Sequence, residues 1–519
     1  VQELSGPRER LDPPPLRGLA RRAVRGVFWT VSTSIGARAL GLAGTLLLTR
    51  FLDPGEYGEV SLAAVVIATA GVASSCGLSQ YIVSRPGAGR AAVFHATLYY
   101  TVLGLVALAL AVIAGGPIGD FIHAPGMVRF LPGLAFAAVL ERVGTVQDRI
   151  LVRDMRFRDV GLLRSLGEVV YTVASIGLAA AGAGTAWGGG NAVVWASIAR
   201  SLVRLVALSA VTPRREWLEP CPITWARTRV LFSFGLPMSL ATLAGFGSRR
   251  WDNLVFSRSF GQAAAGIYNL AYNLADIPAS QLGETIGDVL VPSFAKIEGG
   301  PARRRALLVS LRQMTLLCAP LAFGLGALAP TVTQSFFDRR WAAIDVELAL
   351  LSVLSAVRPI GWIGASYLQV ENRPRTILVL ESVKTLAVVG LIPLSAALAP
   401  RFGAGAGAGE RWACASVGVA FGLGALSYLY TFKKLDGIPL CAALAELLPP
   451  VLACVPMVAV VLVAQRWLSA TGLPGSARLI ALIALGAAAF VPSAFVIAPA
   501  ASREFLRLCA GAVARRGGE

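Results

Sequence analysis

Apolar residues arrive along this chain in runs of about twenty, separated by short polar breaks, and fourteen such runs can be drawn. A helix needs about 20 residues to cross the hydrocarbon core of a bilayer. The pattern therefore predicts an all-α membrane protein of about fourteen spanning helices. They lie near residues 27–49, 58–83, 92–114, 127–149, 159–181, 191–211, 231–256, 264–292, 308–334, 343–370, 376–398, 412–432, 443–465 and 477–498. The longest breaks, around 212–228 and 295–307, follow the sixth and eighth runs, and a Gly/Ala tract from Gly403 to Gly409 follows the eleventh. Residues 1–26, with Pro13, Pro14, Pro15 and six arginines, read as a disordered basic tail on the cytoplasmic side, and 500–519 as a second cytoplasmic tail.

Two runs break the apolar pattern. The seventh carries Arg249, Arg250 and Asp252; the eighth carries Asp276, Glu284 and Asp288. An Asp, Lys or Arg at mid-membrane costs about 2.5–3.5 kcal/mol on insertion scales, so such residues need a watery cavity or one another. In the eighth run Asn269, Asn273, Asp276, Ser280, Glu284 and Asp288 recur at steps of three and four, which on a helix makes one polar seam. A seam of this kind predicts a cavity. The plainer alternative for Arg249 is a pair with Asp252, three residues on. Arg250, about 100° further round, has Asn253 in the corresponding place. Pro237, Pro278 and Pro292 lie in or at the ends of these runs and are expected to bend them.

Composition fits a membrane protein. The chain is 55% hydrophobic and 15% charged, with a mean hydropathy of +0.67, whereas soluble domains carry about a quarter charged residues. A net charge of +18 would suit nucleic acid only if it were gathered on a soluble domain, and none is present in the pattern; nucleic acid is excluded as a partner. Seven scattered cysteines and two distant histidines, His95 and His123, point to no disulfide framework, metal site or cofactor. Basic residues alternate from side to side. With the N-terminus inside, 31 of the 47 Lys and Arg fall inside and nine outside; seven lie within the runs. Without Arg164, Arg200 and Arg204, whose side depends on where a run is drawn, 28 still face nine. By the positive-inside rule both termini are expected in the cytoplasm.

The chain also repeats itself. Arg50, Gly58 and Leu62-Ala63 recur as Arg258, Gly266 and Leu270-Ala271, each 208 positions on. Both sets fall at the junction after the first helix of a six-helix half. The expected organisation is an N-terminal lobe over 27–211, a cytoplasmic linker over 212–228, a C-terminal lobe over 229–432 and an extra helix pair over 433–499. The offset sets Arg250 one helical turn from Arg38, so each lobe would carry an arginine on one face of its first helix.

At these residues the chain resembles a known family. LTRFLDPGEYGEVSLAAV (48–65) is similar to the junction after the first helix of polysaccharide-exporting flippases. The stretch around Asp252, Gly261, Gly266-Ile-Tyr268-Asn-Leu-Ala271 and Pro292-Ser-Phe294 resembles that family's central signature. The resemblance, over about residues 20–450, is to the Wzx-type polysaccharide and lipopolysaccharide flippases, in their colanic-acid-exporter-like branch. These belong to the multidrug/oligosaccharidyl-lipid/polysaccharide exporter superfamily. It implies twelve helices in two lobes, often with two more, a central cavity and a lipid-linked oligosaccharide as cargo, in the bacterial inner membrane.

Such a cargo carries a pyrophosphate, which arginine suits through its permanent charge and fork of donors. The expected substrate-binding residues are Arg38, Arg249, Arg250, Arg358 and Lys384. Glu381 stands three residues before Lys384, so a pair within the helix is the simpler fate of that lysine. Arg142, beside Glu141, is expected to be structural and near the cytoplasmic mouth. Asp252, Asp276, Glu284 and Asp288 are the candidate coupling or cavity acids, with H⁺ or Na⁺ as the coupling ion; Glu284 and Asp288 could instead anchor a helix end. Asn269, Asn273 and Ser280 complete the polar wall. The alternative is a cation-coupled multidrug exporter, whose cationic cargo favours a carboxylate-rich, aromatic-lined cavity. More remote is a membrane polysaccharide polymerase, an enzyme that needs a large outside loop.

Overall fold

A computed structural model describes residues 36, 40–41, 43–78, 90–154, 156–182, 185, 187–213, 215, 217, 219–295, 297, 300–371, 373–402 and 407–507. Arg38 lies outside them, as do the side chains of Ser280, Glu284 and Asp288. Among the described residues the protein is helical, without strands. A helical stretch over 43–48 precedes α1 (Pro54–Ala73), α2 (Arg90–Ile113), the short α3 (Gly115–Phe121), α4 (Leu131–Arg153), α5 (Phe157–Ala181) and α6 (Gly190–Val211). Then come α7 (Trp225–Phe260), α8 (Gln262–Ala295), α9 (Gly300–Phe336), α10 (Ile344–Ser355), α11 (Arg358–Val370), α12 (Pro374–Leu398) and α13 (Ala408–Asp436). The chain closes with α14 (Leu440–Leu452), α15 (Cys454–Ser469) and α16 (Gly475–Ile497).

Ten spans among the described residues are long and apolar enough to cross a membrane, two of them the composites of α10 with α11 and of α14 with α15. This is a multi-pass membrane protein. Three long helices fall outside that set: α4, α7 and α8, of 23, 36 and 34 residues. They contain Glu141, Arg142 and Asp148; Arg249, Arg250 and Asp252; and Asp276, Glu284 and Asp288. Their low apolarity comes from charges that, where described, are turned towards protein or clefts.

Packing follows from the apolar faces. Helices α4, α5 and α6 sit side by side with α1 and α2 against α4, while α7 packs on α12 and α12 on α13. Helix α9 runs against α10 and also holds α14, α15 and α16. Between these groups, α1 crosses α8 and α7, and the crossing is reciprocal. A Cβ on Gly58 would sit 2.1 Å from the Gln262 carbonyl oxygen, and one on Gly266 would sit 2.0 Å from that of Pro54. Gln262 and Pro54 are each four residues before the opposing glycine, and both pairs differ by the 208 of the sequence repeat (54 to 262, 58 to 266). The repeat-related glycines therefore meet each other across a local two-fold, at backbone contact that only glycine permits.

The same end of the molecule is fastened twice more. Ser257 Oγ donates to the Ile122 carbonyl (2.9 Å), and the Arg258 guanidinium donates to the Phe121 carbonyl. Trp341 Nε1 donates to the Thr49 carbonyl (3.0 Å), and Arg340 bonds Asp53 (2.6 Å) and the Arg50 carbonyl (3.1 Å). Thr49 and Arg50 are the 208-offset partners of Ser257 and Arg258, so both halves are tied at corresponding turns. Gly261, at φ +86°, caps α7 and allows the tight turn into α8.

Candidate functional site

The tenth apolar run is broken where the charge sits. Helix α10 ends at Ser355 and α11 begins at Arg358. Pro359 lacks an N–H and disfavours helical backbone in the residue before it. Arg358 therefore opens a half-helix, whose N-terminal dipole adds positive potential beside its guanidinium. The guanidinium is buried at 8% exposure, lies 4.5 Å from the Tyr272 ring and 4.6 Å from that of Phe421, and bonds the Asp276 carboxylate.

Arg358 and Asp276 face a cleft of about 800 Å³, open to solvent, whose walls also carry Arg249, Glu381, Lys384 and Tyr428. Four sequence-predicted residues thus meet here: Arg249 from α7, Asp276 from α8, Arg358 from α11 and Lys384 from α12. Lys384 Nζ lies 2.6 Å from Glu381 Oε2, the pair within one helix that the spacing suggests, and 5.5 Å from the Phe421 ring. Glu381 further accepts from Ser248 Oγ (3.3 Å) and Tyr428 Oη (3.1 Å). Arg249 is exposed to the cleft, donates to the Gly245 carbonyl (3.2 Å) and has no carboxylate partner among the described residues. Two cations are thus balanced by Asp276 and Glu381, and Arg249 remains as net positive charge.

Arg250 and Asp252 are placed elsewhere. Arg250 donates to Asn273 Oδ1 (3.1 Å), Asn273 to Asn269 Oδ1 (2.8 Å), Asn269 to Asn253 Oδ1 (2.7 Å) and Asn253 to Asp252 Oδ1 (2.9 Å). Tyr268 Oη donates to Asp252 Oδ2 (2.7 Å). Asp252 is fully buried in this relay, and no bond to Arg249 forms. The polar seam of α8 therefore divides: Asn269 and Asn273 lock α8 to α7, and Asp276 turns into the cleft.

Sequence reasoning missed the aromatic wall of Tyr272, Phe421 and Tyr428. Aromatic residues at helical spacing read as ordinary apolar positions until a cation is placed on them. It also missed a second cleft of about 1230 Å³ lined by α1, α2, α4, α6 and Thr242 of α7, with Glu141, Arg142 and Arg200 on its walls. Arg142, expected to be structural, does tie helices together while also facing this cleft. It donates to the Tyr100 carbonyl (2.7 Å), the Gly71 carbonyl and Ser74 Oγ (2.5 Å), and stacks 4.5 Å over Tyr100.

A third space is apolar. On its other side α8 sends Leu274 and Ile277 into a groove of about 1480 Å³ formed with α9 and the last helices, through Leu325, Met457, Leu482 and Phe490.

With this geometry, comparison with known proteins is informative. Residues 47–345, more than half of the chain, match the model of the family described as polysaccharide biosynthesis protein. The chain belongs to that family. The matched region includes α7 and the Asp276 turn of α8 and ends before Arg358 and Lys384. Among its relatives, the succinoglycan biosynthesis transport protein ExoT of Rhizobium meliloti (strain 1021) is 28% identical over 346 residues, covering 65% of this chain and 67% of ExoT. The lipopolysaccharide biosynthesis protein WzxC of Escherichia coli (strain K12) is 24% identical over 349 residues, 66% of this chain and 69% of WzxC. Among solved structures, the lipid II flippase MurJ in an inward closed conformation superposes with a TM-score of 0.68 at 12% identity, covering 90% of this chain and 98% of MurJ. An inward-facing multidrug resistance MATE family transporter gives 0.58 at 16% identity, over 77% and 95% of the two chains. The protein thus has the fold shared by MurJ and the MATE transporters.

Proposed function

We propose that this protein flips lipid-linked oligosaccharides, carried on a polyprenyl pyrophosphate, from the cytoplasmic to the outer leaflet for polysaccharide export. The observation that carries the reading is the two-sided setting of α8. One side meets a cleft holding Arg249, Arg358 and Lys384, and the other meets an apolar groove. A cargo with an anionic head and a long hydrocarbon tail matches both: pyrophosphate on the arginines through charge-assisted bonds, and the prenyl chain along the groove. Membership of a polysaccharide biosynthesis family and likeness to a succinoglycan transport protein support it.

In this reading the chain has fourteen spans, two lobes over 27–211 and 229–432, the helix pair over 433–499 and both ends in the cytoplasm, in the bacterial inner membrane. It performs transport without catalysis. Asp276 neutralises Arg358 when the site is empty, the pyrophosphate displaces it, and the lobes rock about the fastened end. Proton or Na⁺ binding on Asp276 resets the carrier. Moving two negative charges outward down the membrane potential would supply about 4.6 kcal/mol per 100 mV, at about 2.3 per charge. A multidrug exporter with this fold would favour an anionic pocket for cationic drugs, whereas this cleft has a surplus arginine.

The test is deletion of the gene followed by assay of lipid-linked repeat units. They should accumulate on the cytoplasmic leaflet, and purified protein in proteoliposomes should move them. Absence of both effects overturns the reading. For topology, reporter fusions after Pro400 and Gly472 should read outside, and those after Arg215, Gly300 and Asp436 inside; reversal of any before Gly472 refutes the two-lobe alignment.

A further inference from the structure

The 208-residue offset that brings Gly58 onto Gly266 can be extended about two to three turns further along the paired helices. On α8, Tyr272 and Asp276 surround the Arg358 guanidinium. Their offset partners on α1 are Ala64 and Ala68. Both alanines line the second cleft, which also holds Arg142. Arg142 and Arg358 occupy corresponding runs, the fourth of each half, and each stacks on an aromatic ring at 4.5 Å. The C-terminal arginine is thus supplied with a ring and a carboxylate from its own chain. The N-terminal one takes its ring from Tyr100 of α2 and has two alanines at the offset positions of α1.

Charge confirms the vacancy. Arg142 is 5% exposed, and among the described residues its guanidinium donates to two backbone carbonyls and a serine hydroxyl. The neighbouring acids are engaged elsewhere: Glu141 lies 3.5 Å from Arg204, Glu168 3.5 Å from Arg200, and Asp148 bonds Arg164 (2.8 Å) and lies 3.6 Å from Arg204. No carboxylate pairs with Arg142 among the described residues. A buried cation held only by neutral acceptors keeps a strong attraction for an anion. The remaining wall carries hydroxyls from Ser75, Thr145, Ser197 and Ser201, groups that suit sugar rings, beside Arg200 and the Arg204-paired Glu141.

We propose that the Arg142 cleft is a second binding site, for an acidic sugar of the cargo, whose single carboxylate takes the place that Asp276 fills beside Arg358. This rests on the flippase reading above and adds to it: pyrophosphate binds in the C-terminal half and an acidic glycan residue in the N-terminal half.

The test uses the full-length protein in lipid nanodiscs and three soluble probes: an oligosaccharide containing one glucuronate, its carboxyl-reduced neutral counterpart, and inorganic pyrophosphate. Binding is read by calorimetry. The acidic sugar should bind at least tenfold tighter than the neutral one. Arg142→Gln should abolish that preference. Because Arg142 also ties α1, α2 and α4 together, Ala68→Asp provides a second route, restoring the missing carboxylate with the arginine intact. It should weaken acidic-sugar binding about tenfold, more than the uncharged Ala68→Asn, and leave pyrophosphate binding unaltered. Equal binding of the acidic and neutral sugars, no binding of the acidic sugar, or acid preference surviving Ala68→Asp overturns the proposal. So does loss of pyrophosphate binding in Ala68→Asp, which would give the cleft to the lipid phosphate. Flipping of an acidic-glycan polyprenyl pyrophosphate in proteoliposomes separates the two ideas: its absence defeats the flippase reading, while its presence without acid preference in binding defeats only this one.

Discussion

The two clefts have corresponding positions and opposite finishes. Around Arg358 the chain supplies Asp276, Tyr272 and Phe421, and the cleft measures about 800 Å³. Around Arg142 it supplies backbone carbonyls, Ser74 and Tyr100, and the cleft measures about 1230 Å³. Burial of a guanidinium is tolerated in both, by different means. A carboxylate partner makes the charge switchable, since a competing anion or a proton can displace it; carbonyl partners hold the arginine in place and leave its charge on offer. In the function proposed above, a duplicated scaffold would thus hold two anionic groups while only one half takes part in resetting the cycle.

The comparison breaks first at the point where the halves are alike. Gly58→Leu and Gly266→Leu each push a side chain into a backbone carbonyl about 2 Å from Cβ, which no rotamer relieves. Each should remove most of the folded protein from the membrane and nearly all export, and the two losses should be equal. Abundance by immunoblot and export of polysaccharide measure this. A mild Gly58 variant beside a severe Gly266 variant would show that the crossing is not reciprocal.

Next is the carboxylate itself. Asp276→Ala gives the C-terminal cleft the residue found at Ala68 and strands Arg358. Breaking a buried pair costs about 3–5 kcal/mol, so the variant should melt clearly below the parent. Added pyrophosphate should recover more of that loss than it stabilises the parent, because the arginine is now free to bind it. A melting curve unchanged by the substitution, or no extra response to pyrophosphate, would mean that Asp276 does not neutralise the site.

Lys384→Met should matter less. Its charge is already balanced by Glu381, and Glu381 keeps Ser248 and Tyr428 as donors when the lysine is gone. Pyrophosphate affinity should fall severalfold, below the ten- to a hundredfold expected at Arg358 from about 1.5–3 kcal/mol per charge-assisted bond. Equal losses at the two positions would make Lys384 a principal contact.

How far the sequence carried this picture varies by residue. Membrane helices were legible because apolar runs of that length have few other uses, and the same apolarity test passes over α4, α7 and α8, the helices where charge is concentrated. The site was legible where a charge interrupts an apolar run, as at Arg249, Asp276, Arg358 and Lys384. The fate of Asp252 was not, because the choice between a cleft and the Tyr268–Asn253 relay is one of helix rotation, which spacing on a single helix cannot fix. Arg142 was read as structural because Glu141 stands beside it; adjacent residues on a helix point about 100° apart, and Glu141 in fact faces Arg204. The vacancy at Ala68 is invisible without the repeat, since an alanine in an apolar run carries no signal of its own.

The smallest effect sharpens the comparison along the same two helices. The offset partners of Asn269 and Asn273 are Ser61 and Val65, so the N-terminal half has no counterpart of the asparagine relay. If the relay only locks α8 to α7, Asn269→Ala should cost stability and spare transport. The side chain is 4% exposed, donates to Asn253 and accepts from Asn273. Its removal leaves Asn253 Oδ1, on a residue 1% exposed, without that donor, while the half-buried Asn273 can turn to water. One unsatisfied buried group costs about 1–3 kcal/mol, below the loss expected for Asp276→Ala. The melting temperature should therefore drop modestly, with export and pyrophosphate affinity close to the parent's. Loss of export at normal abundance would instead put the relay in the cargo's path, by way of Arg250, and the difference between the halves would then extend from their clefts to the seam that joins them.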